Sequence, residues 1–197
     1  MTASQARIRH LPAAGHVDMA WKNGLGRTAE IARHPETGDG FDWRVSIATI
    51  AADGPFSAFA GCARTLVPIE GGGLALDFAD GTTLMGGLFE PMRFAGDLAC
   101  QGRLLAGRAR DLNVITRRAA FVHDLAVVAA PWRFVAAGET TLVIALAGAM
   151  TAACDAGRWR LDPDDALRVD GPGDEFRLMA IDPGARAAIA TLRRAGG

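Results

Sequence analysis

Hydrophobic and polar residues alternate with a period of two through most of this chain, in short runs broken by Gly, Pro and Asp. Side chains on a strand point alternately to its two faces, so this pattern predicts strands with one face turned to a core. Strands are predicted over 41–50, 62–69, 73–78, 81–84, 92–94, 112–116, 119–128, 140–147, 150–154, 158–161, 166–169 and 176–181, and a further one over 28–34. The stretch 96–111 gives no clear pattern. Asp80-Gly81 and Ala156-Gly157 read as hairpin turns, where glycine supplies the positive φ that tight turns need. Helical periodicity is scarce. The prediction is an all-β chain, a sandwich or barrel.

The pattern also repeats. Thr65-Leu66-Val67 precedes glycines at 71–73, a turn at Gly81 and then Arg93-Phe94-Ala95-Gly96. Thr141-Leu142-Val143 precedes Gly148, a turn at Gly157 and then Arg168-Val169-Asp170-Gly171, at an offset of about 76 residues with one slip. That order suits two copies of a small β-barrel in one chain, with approximate halves at 1–130 and 131–197.

Composition narrows the function classes. The 197 residues are 50% hydrophobic, enough for a substantial core, and the net charge is −1. Arginines are interleaved with acids, so no basic stripe points to nucleic acid. No apolar run reaches the roughly 18 residues of a membrane helix. The stretch from Met1 to Met19 lacks the apolar block of a signal peptide, so the expected compartment is the cytoplasm. Cys62, Cys100 and Cys154 stand apart and read as reduced thiols. His10, His16, His34 and His123 form no ligand pair with one another or with cysteine, so no metal site and no cofactor are expected. No nucleophile elbow or paired-glutamate pattern argues for a hydrolase.

The candidate chemistry sits in two short polar motifs. The only lysine, Lys22, and both asparagines, Asn23 and Asn113, fall within Trp21-Lys22-Asn23-Gly24-Leu25-Gly26-Arg27-Thr28 and Asp111-Leu112-Asn113-Val114-Ile115-Thr116-Arg117-Arg118. Elsewhere the chain uses arginine for its cations. The first motif is glycine-rich but lacks phosphate-loop spacing, since its lysine precedes the glycines. It reads as a tight turn or as a loop that brings backbone N–H groups to a ligand. The strand 41–47 puts Phe41, Trp43, Val45 and Ile47 on one face and Asp42, Arg44 and Ser46 on the other. The second motif, when extended, puts Asp111, Asn113, Ile115 and Arg117 together. Each polar face is either solvated or the lining of a pocket. The loop 53–59 carries Phe56 and Phe59, which read as a plug for a barrel end.

Taken in order, these motifs resemble the HutD/Ves family. That family shows W-K-N-G-G-G-x-T, then W-R-x-S, D-G-P-F-S, R-x-L and D-x-N-x-M-x-R-R; here they are Trp21–Thr28, Trp43–Ser46, Asp53–Ser57, Arg64–Leu66 and Asp111–Arg118. Leu25 replaces the middle glycine and Ile115 replaces methionine. The resemblance implies a bicupin, two cupin-type β-barrels, and a small-molecule-binding or regulatory role linked in some bacteria to histidine utilisation. Metal-binding cupins use clustered His and Glu ligands, which this sequence lacks, so their metal chemistry is not carried over. The resemblance adds Thr28 and Arg64 to the candidate residues.

The expected function is metal-independent binding of a small polar carboxylate, with urocanate or a formylglutamate-like acid as candidates. Arg44 and Arg117 would hold the anionic end. Asn23, Ser46 and Asn113 would orient the ligand, Trp21 or Trp43 would supply an apolar wall, and Asp111 would fix Asn113 or Arg117. The alternative is an isomerase, hydrolase or lyase acting on a similar acid, with Lys22 as base or Schiff-base nucleophile. The protein is expected to be a monomer or homodimer.

Overall fold

The alternation is realised as nineteen strands among the described residues, with one short 3-10 turn at Ala13–Gly15 and no α-helix. The computed structural model describes residues 7–21 and 24–196. Contacts divide the chain into two units, one spanning His16–Val122 and the other joining the residues before His16 to those after Val122.

In the first unit a six-stranded sheet runs in the order β2 (Val17–Ala20), β3 (Gly26–His34), β4 (Trp43–Ile50), β11 (Ala109–Arg117), β6 (Cys62–Glu70), β9 (Met92–Ala95). A four-stranded sheet runs β5 (Gly54–Phe56), β10 (Cys100–Leu104), β7 (Leu74–Phe78), β8 (Thr83–Gly86). The Asp80-Gly81 turn joins β7 to β8, with Gly81 at a φ of 86°. The second unit has a five-stranded sheet in the order β1 (Ile8–Leu11), β17 (Ala166–Asp170), β14 (Thr140–Ala147), β19 (Arg186–Arg194), β12 (Phe121–Ala129). Its four-stranded sheet runs β13 (Trp132–Val135), β18 (Glu175–Ala180), β15 (Met150–Cys154), β16 (Gly157–Leu161).

The repeat seen in sequence extends to strand order. Adding eight to each strand of β4-β11-β6-β9 gives β12-β19-β14-β17, and adding eight to β5-β10-β7-β8 gives β13-β18-β15-β16. The matching triplets are, however, one residue out of phase. Leu66 joins the apolar cluster of its unit, whereas in the second unit Val143 joins the cluster and Leu142, equally buried, lies on the other face of β14. The contact boundary falls between Val122 and His123, and β1 belongs to the second unit because it hydrogen-bonds β17, with Ile8 opposite Val169 and Leu11 opposite Ala166.

Each unit closes around its own apolar cluster. Ile50, Leu66, Leu74, Leu76 and Met92 centre the first. Val143, Met150, Leu161, Phe176 and Leu178 centre the second. In the second cluster Phe176 is fully buried and stacks on Phe134 with ring centroids 5.4 Å apart. Phe176→Ala is therefore expected to destabilise the protein by about 3–5 kcal/mol in urea unfolding, through lost burial and a residual cavity. Val135→Ala, at a side chain that is 56% exposed, should change stability by less than about 0.5 kcal/mol. Equal midpoints for the two variants would contradict this assignment of the core.

Candidate functional site

Antiparallel register stacks the polar residues of four neighbouring strands on one face of the larger sheet in the first unit. Across β4 and β11, Arg44 lies opposite Ile115, Ser46 opposite Asn113 and Ala48 opposite Asp111. Across β11 and β6, Ile115 lies opposite Arg64. Across β3 and β4, Thr28 lies opposite Ala48 and Glu30 opposite Ser46. Because alternate residues share a face, Arg44, Ser46 and Ala48 line the same cavity of about 430 Å³ together with Thr28, Arg64, Asn113 and Ile115. Trp21 lines it from the loop after β2, and Pro55, Phe56, Ser57 and Phe59 line it from β5 and the loop that follows. Deeper in the same unit the apolar cluster of Ile50, Leu66, Leu74 and Leu76 takes over.

Arg64 organises this cavity. The residue is only 7% exposed. Its Nε and Nη2 donate to Asn113 Oδ1 at 2.9 and 2.6 Å, and its Nη1 donates to the Ser57 carbonyl at 3.3 Å. Asn113 Nδ2 in turn donates to Asp111 Oδ1 at 2.6 Å. A guanidinium only donates, so the Asn113 amide must turn its oxygen to Arg64 and its NH₂ to Asp111. The guanidinium also lies over three rings, 5.2 Å from Phe56, 5.6 Å from Phe59 and 5.4 Å from Phe94. Burial lowers the Arg64 pKa, and the Asp111 charge opposes that shift. A guanidinium has five N–H groups. Three such bonds have partners among the described residues, and two N–H groups have none there.

Asp111 is 1% exposed, and burial pushes its carboxyl up to about 7 against the pull of Arg64, the Asn113 amide and the Ala48 backbone N–H. Its Oδ2 is buried and has no hydrogen-bond partner among the described residues. Arg44 pairs with Glu30, Nε to Oε2 at 2.9 Å, and both side chains are largely buried. Burial lowers the Arg44 pKa, with Glu30 opposing. Trp21 is fixed by its indole N–H, which donates to Thr28 Oγ1 at 2.8 Å, and by an edge contact with Phe56 at 6.3 Å. Gly26 permits this, since a Cβ there would lie 2.4 Å from the Thr49 carbonyl oxygen and 3.0 Å from the Trp21 ring.

The structure thus brings together Trp21, Thr28, Arg44, Ser46, Arg64 and Asn113 at the cavity, with Asp111 behind Asn113. Asp111 holds Asn113 rather than Arg117. Arg117 is not brought to the cavity: it caps the end of β11, half exposed, 3.8 Å from Asp42 and hydrogen-bonded to the Phe41 carbonyl. Trp43 is buried on the opposite face of β4 and stacks on His34. Lys22 and Asn23 lie outside the described residues. Phe56 and Phe59 pack around the buried cation, a role that the reading as a plug missed. Glu30 was also missed, although its spacing of two from Thr28 puts both on one strand face.

No cluster of three or more His, Cys, Asp or Glu suited to a metal ion occurs among the described residues. The polar lining of the cavity is guanidinium, amide and hydroxyl, a set of donors that suits an anion rather than a cation.

The HutD family profile matches residues 13–188. A protein from Pseudomonas putida, described as an uncharacterized 21.2 kDa protein in the hutC 3′ region, is 35% identical over 180 residues, covering 89% of this chain and 93% of that protein. Protein Ves of Citrobacter koseri is 40% identical over 99 residues, 50% of this chain, and the match spans about half of Ves (52%). The structure of HutD from Pseudomonas fluorescens SBW25 (formate condition) has a TM-score of 0.83 at 33% identity, covering 96% of this chain and 100% of that one. The fold alone is shared with a mutant of oxalate decarboxylase from Bacillus subtilis, at a TM-score of 0.61 and 8% identity, over 95% of this chain and 77% of that one. The four sheets of the present chain are those of two cupin-like barrels.

The environment of Asp111 predicts a pH dependence. Between about 3.8 and 7 the folded protein holds a proton on Asp111 that the unfolded chain has lost. Stability from this group is therefore greatest below that window and falls as pH rises through it, by at most about 1.4 kcal/mol per pH unit. Urea unfolding of the wild type and Asp111→Asn, compared from pH 4.5 to 8, should show the variant gaining relative stability as pH rises and levelling off above about pH 7. A difference between the two proteins that is constant with pH would contradict this.

Proposed function

The chain belongs to the HutD family, and from that premise we propose that it is a cytoplasmic binding protein for a small polar carboxylate, acting without a metal ion and in a regulatory role in histidine utilisation. The observation that carries this reading is the buried Arg64, held by Asn113 and Ser57 with two N–H groups left over among the described residues, at a cavity of about 430 Å³. A carboxylate accepts two parallel N–H bonds from a guanidinium, and such charge-assisted pairs are strong when water is excluded. Arg44, Ser46 and Thr28 supply further donors on the same wall, and Trp21, Phe56 and Phe59 supply flat apolar surface for the body of the ligand. Urocanate and N-formyl-L-glutamate fit this chemistry, each with a carboxylate and a planar group. The Pseudomonas putida relative is named for its position in the hutC 3′ region, which supports the pathway.

Titration calorimetry with urocanate and with N-formyl-L-glutamate tests the reading. The wild type is expected to bind at least one of them. Arg64→Lys keeps the charge but loses the fork, and should weaken binding by about 10- to 150-fold, the equivalent of about 1.5–3 kcal/mol. Arg117→Ala, outside the cavity, should bind as the wild type does. Unchanged affinity in Arg64→Lys, or loss of binding in Arg117→Ala, would move the site elsewhere.

A further inference from the structure

Arg64, Asn113 and Asp111 form a line of three buried polar side chains, of which the last stands behind the cavity wall rather than on it. Resting on the carboxylate-binding reading above, we propose that Asp111 is the charge-balancing residue of the site, and that a carboxylate binds at Arg64 together with one proton, which Asp111 takes up from solvent.

Charges are few and water is scarce around Arg64 and Asp111, which are 7% and 1% exposed. In the empty protein the Arg64 cation faces the Asp111 carboxyl through a single amide, which accepts from one and donates to the other. A ligand carboxylate on the remaining N–H groups of Arg64 sets a second anion against the same cation. Two like charges sharing a buried site drive one of them to take a proton. Asp111 is the one placed to do so. It is more deeply buried than any group that touches the cavity opening, and its Oδ2 lacks a donor among the described residues. The ligand keeps its charge because it meets guanidinium directly.

The other charged or titratable groups near Asp111 do not relieve the conflict. On β4, Ala48 lies directly opposite, and Arg44 farther along the same face is already paired with Glu30 of β3. On β6, Pro68 lies opposite Asp111. On β10, the Cys100 thiol near Arg64 is pushed up by burial and stays neutral. Arg110, the neighbour on β11, pairs with Glu70 at 3.3 Å.

Two consequences follow from taking up a proton with the ligand. Apparent affinity should weaken by up to tenfold per pH unit where Asp111 is ionised in the empty protein, because only the protonated fraction accepts the anion without further cost. Binding should also release or absorb heat that depends on the buffer supplying the proton. N-formyl-L-glutamate is the suitable probe, since its own carboxyls titrate near about pH 4 and take no part at pH 8.

The test is calorimetric titration of the full chain with N-formyl-L-glutamate at pH 8 in phosphate and in Tris, whose ionisation enthalpies differ. Wild type is expected to give buffer-dependent heats that correspond to an uptake approaching one proton per ligand. Asp111→Asn should bind with no buffer dependence, and Cys100→Ala should retain the uptake. Wild-type binding with identical heats in both buffers would overturn the coupling while leaving the carboxylate reading intact. Uptake that persists in Asp111→Asn, or vanishes in Cys100→Ala, would overturn the assignment to Asp111. No binding of this acid, of urocanate or of formate would remove both the coupling and the reading beneath it. Should Asp111→Asn fail to fold, the two-buffer comparison on wild type still decides whether a proton is taken up.

Discussion

A cation buried at the floor of a barrel must be answered from all sides, and the site in this protein follows from how Arg64 is answered. An isolated charge taken out of water costs several kcal/mol unless hydrogen bonds replace its hydration. Here Asn113 and Ser57 supply those bonds, Asp111 supplies countercharge through Asn113, and Phe56, Phe59 and Phe94 present ring faces to the guanidinium. Asn113 and Asp111 are in place only because of strand register. A slip of one residue between β6 and β11 would turn Asn113 and Asp111 to the opposite face and leave Arg64 only the Ser57 carbonyl. The polar set therefore specifies the pairing of the sheet as well as the chemistry of the cavity.

The duplicated topology makes the point by contrast. Both units carry the same strand order in their paired sheets. In the second unit the inward residues of β14 and β19 are Val143, Ala145, Ala187 and Ile189, and its core cluster is apolar throughout. In the first, the corresponding strands β6 and β11 turn Arg64, Asp111 and Asn113 inward. One scaffold thus yields a barrel with an apolar interior cluster and a barrel with a cavity lined by guanidinium, amide and hydroxyl groups, and the difference lies in a few inward positions.

Much of this was legible in the sequence because alternation reports faces directly. The run from Trp43 to Ser46 separated a buried face from a polar one, and the structure keeps that separation, with Trp43 buried and Arg44 and Ser46 at the cavity. Asp111 and Asn113 were readable in the same way. Alternation does not report length, however, which is why Arg117 was grouped with them: it shares their parity but lies beyond the cavity and pairs with Asp42. Aromatic partners of a buried cation arrive from loops and from a neighbouring strand, so no local pattern marks Phe56, Phe59 and Phe94 as belonging to Arg64. Strands also escaped where propensity and packing disagree. The β19 segment Arg186–Arg194 is rich in alanine, a weak strand former, yet it forms an inner strand of a sheet between β14 and β12. Short strands such as β5 and β13 carry too few residues to show a period.

The central claim is that the free side of the Arg64 guanidinium is an anion seat. A crystal structure of the protein soaked with a small carboxylate tests it most directly. The account predicts density for a carboxylate with both oxygens about 2.7–2.9 Å from Arg64 nitrogens, and with Asn113 unmoved. A carboxylate bound elsewhere while this cavity holds only water would contradict it.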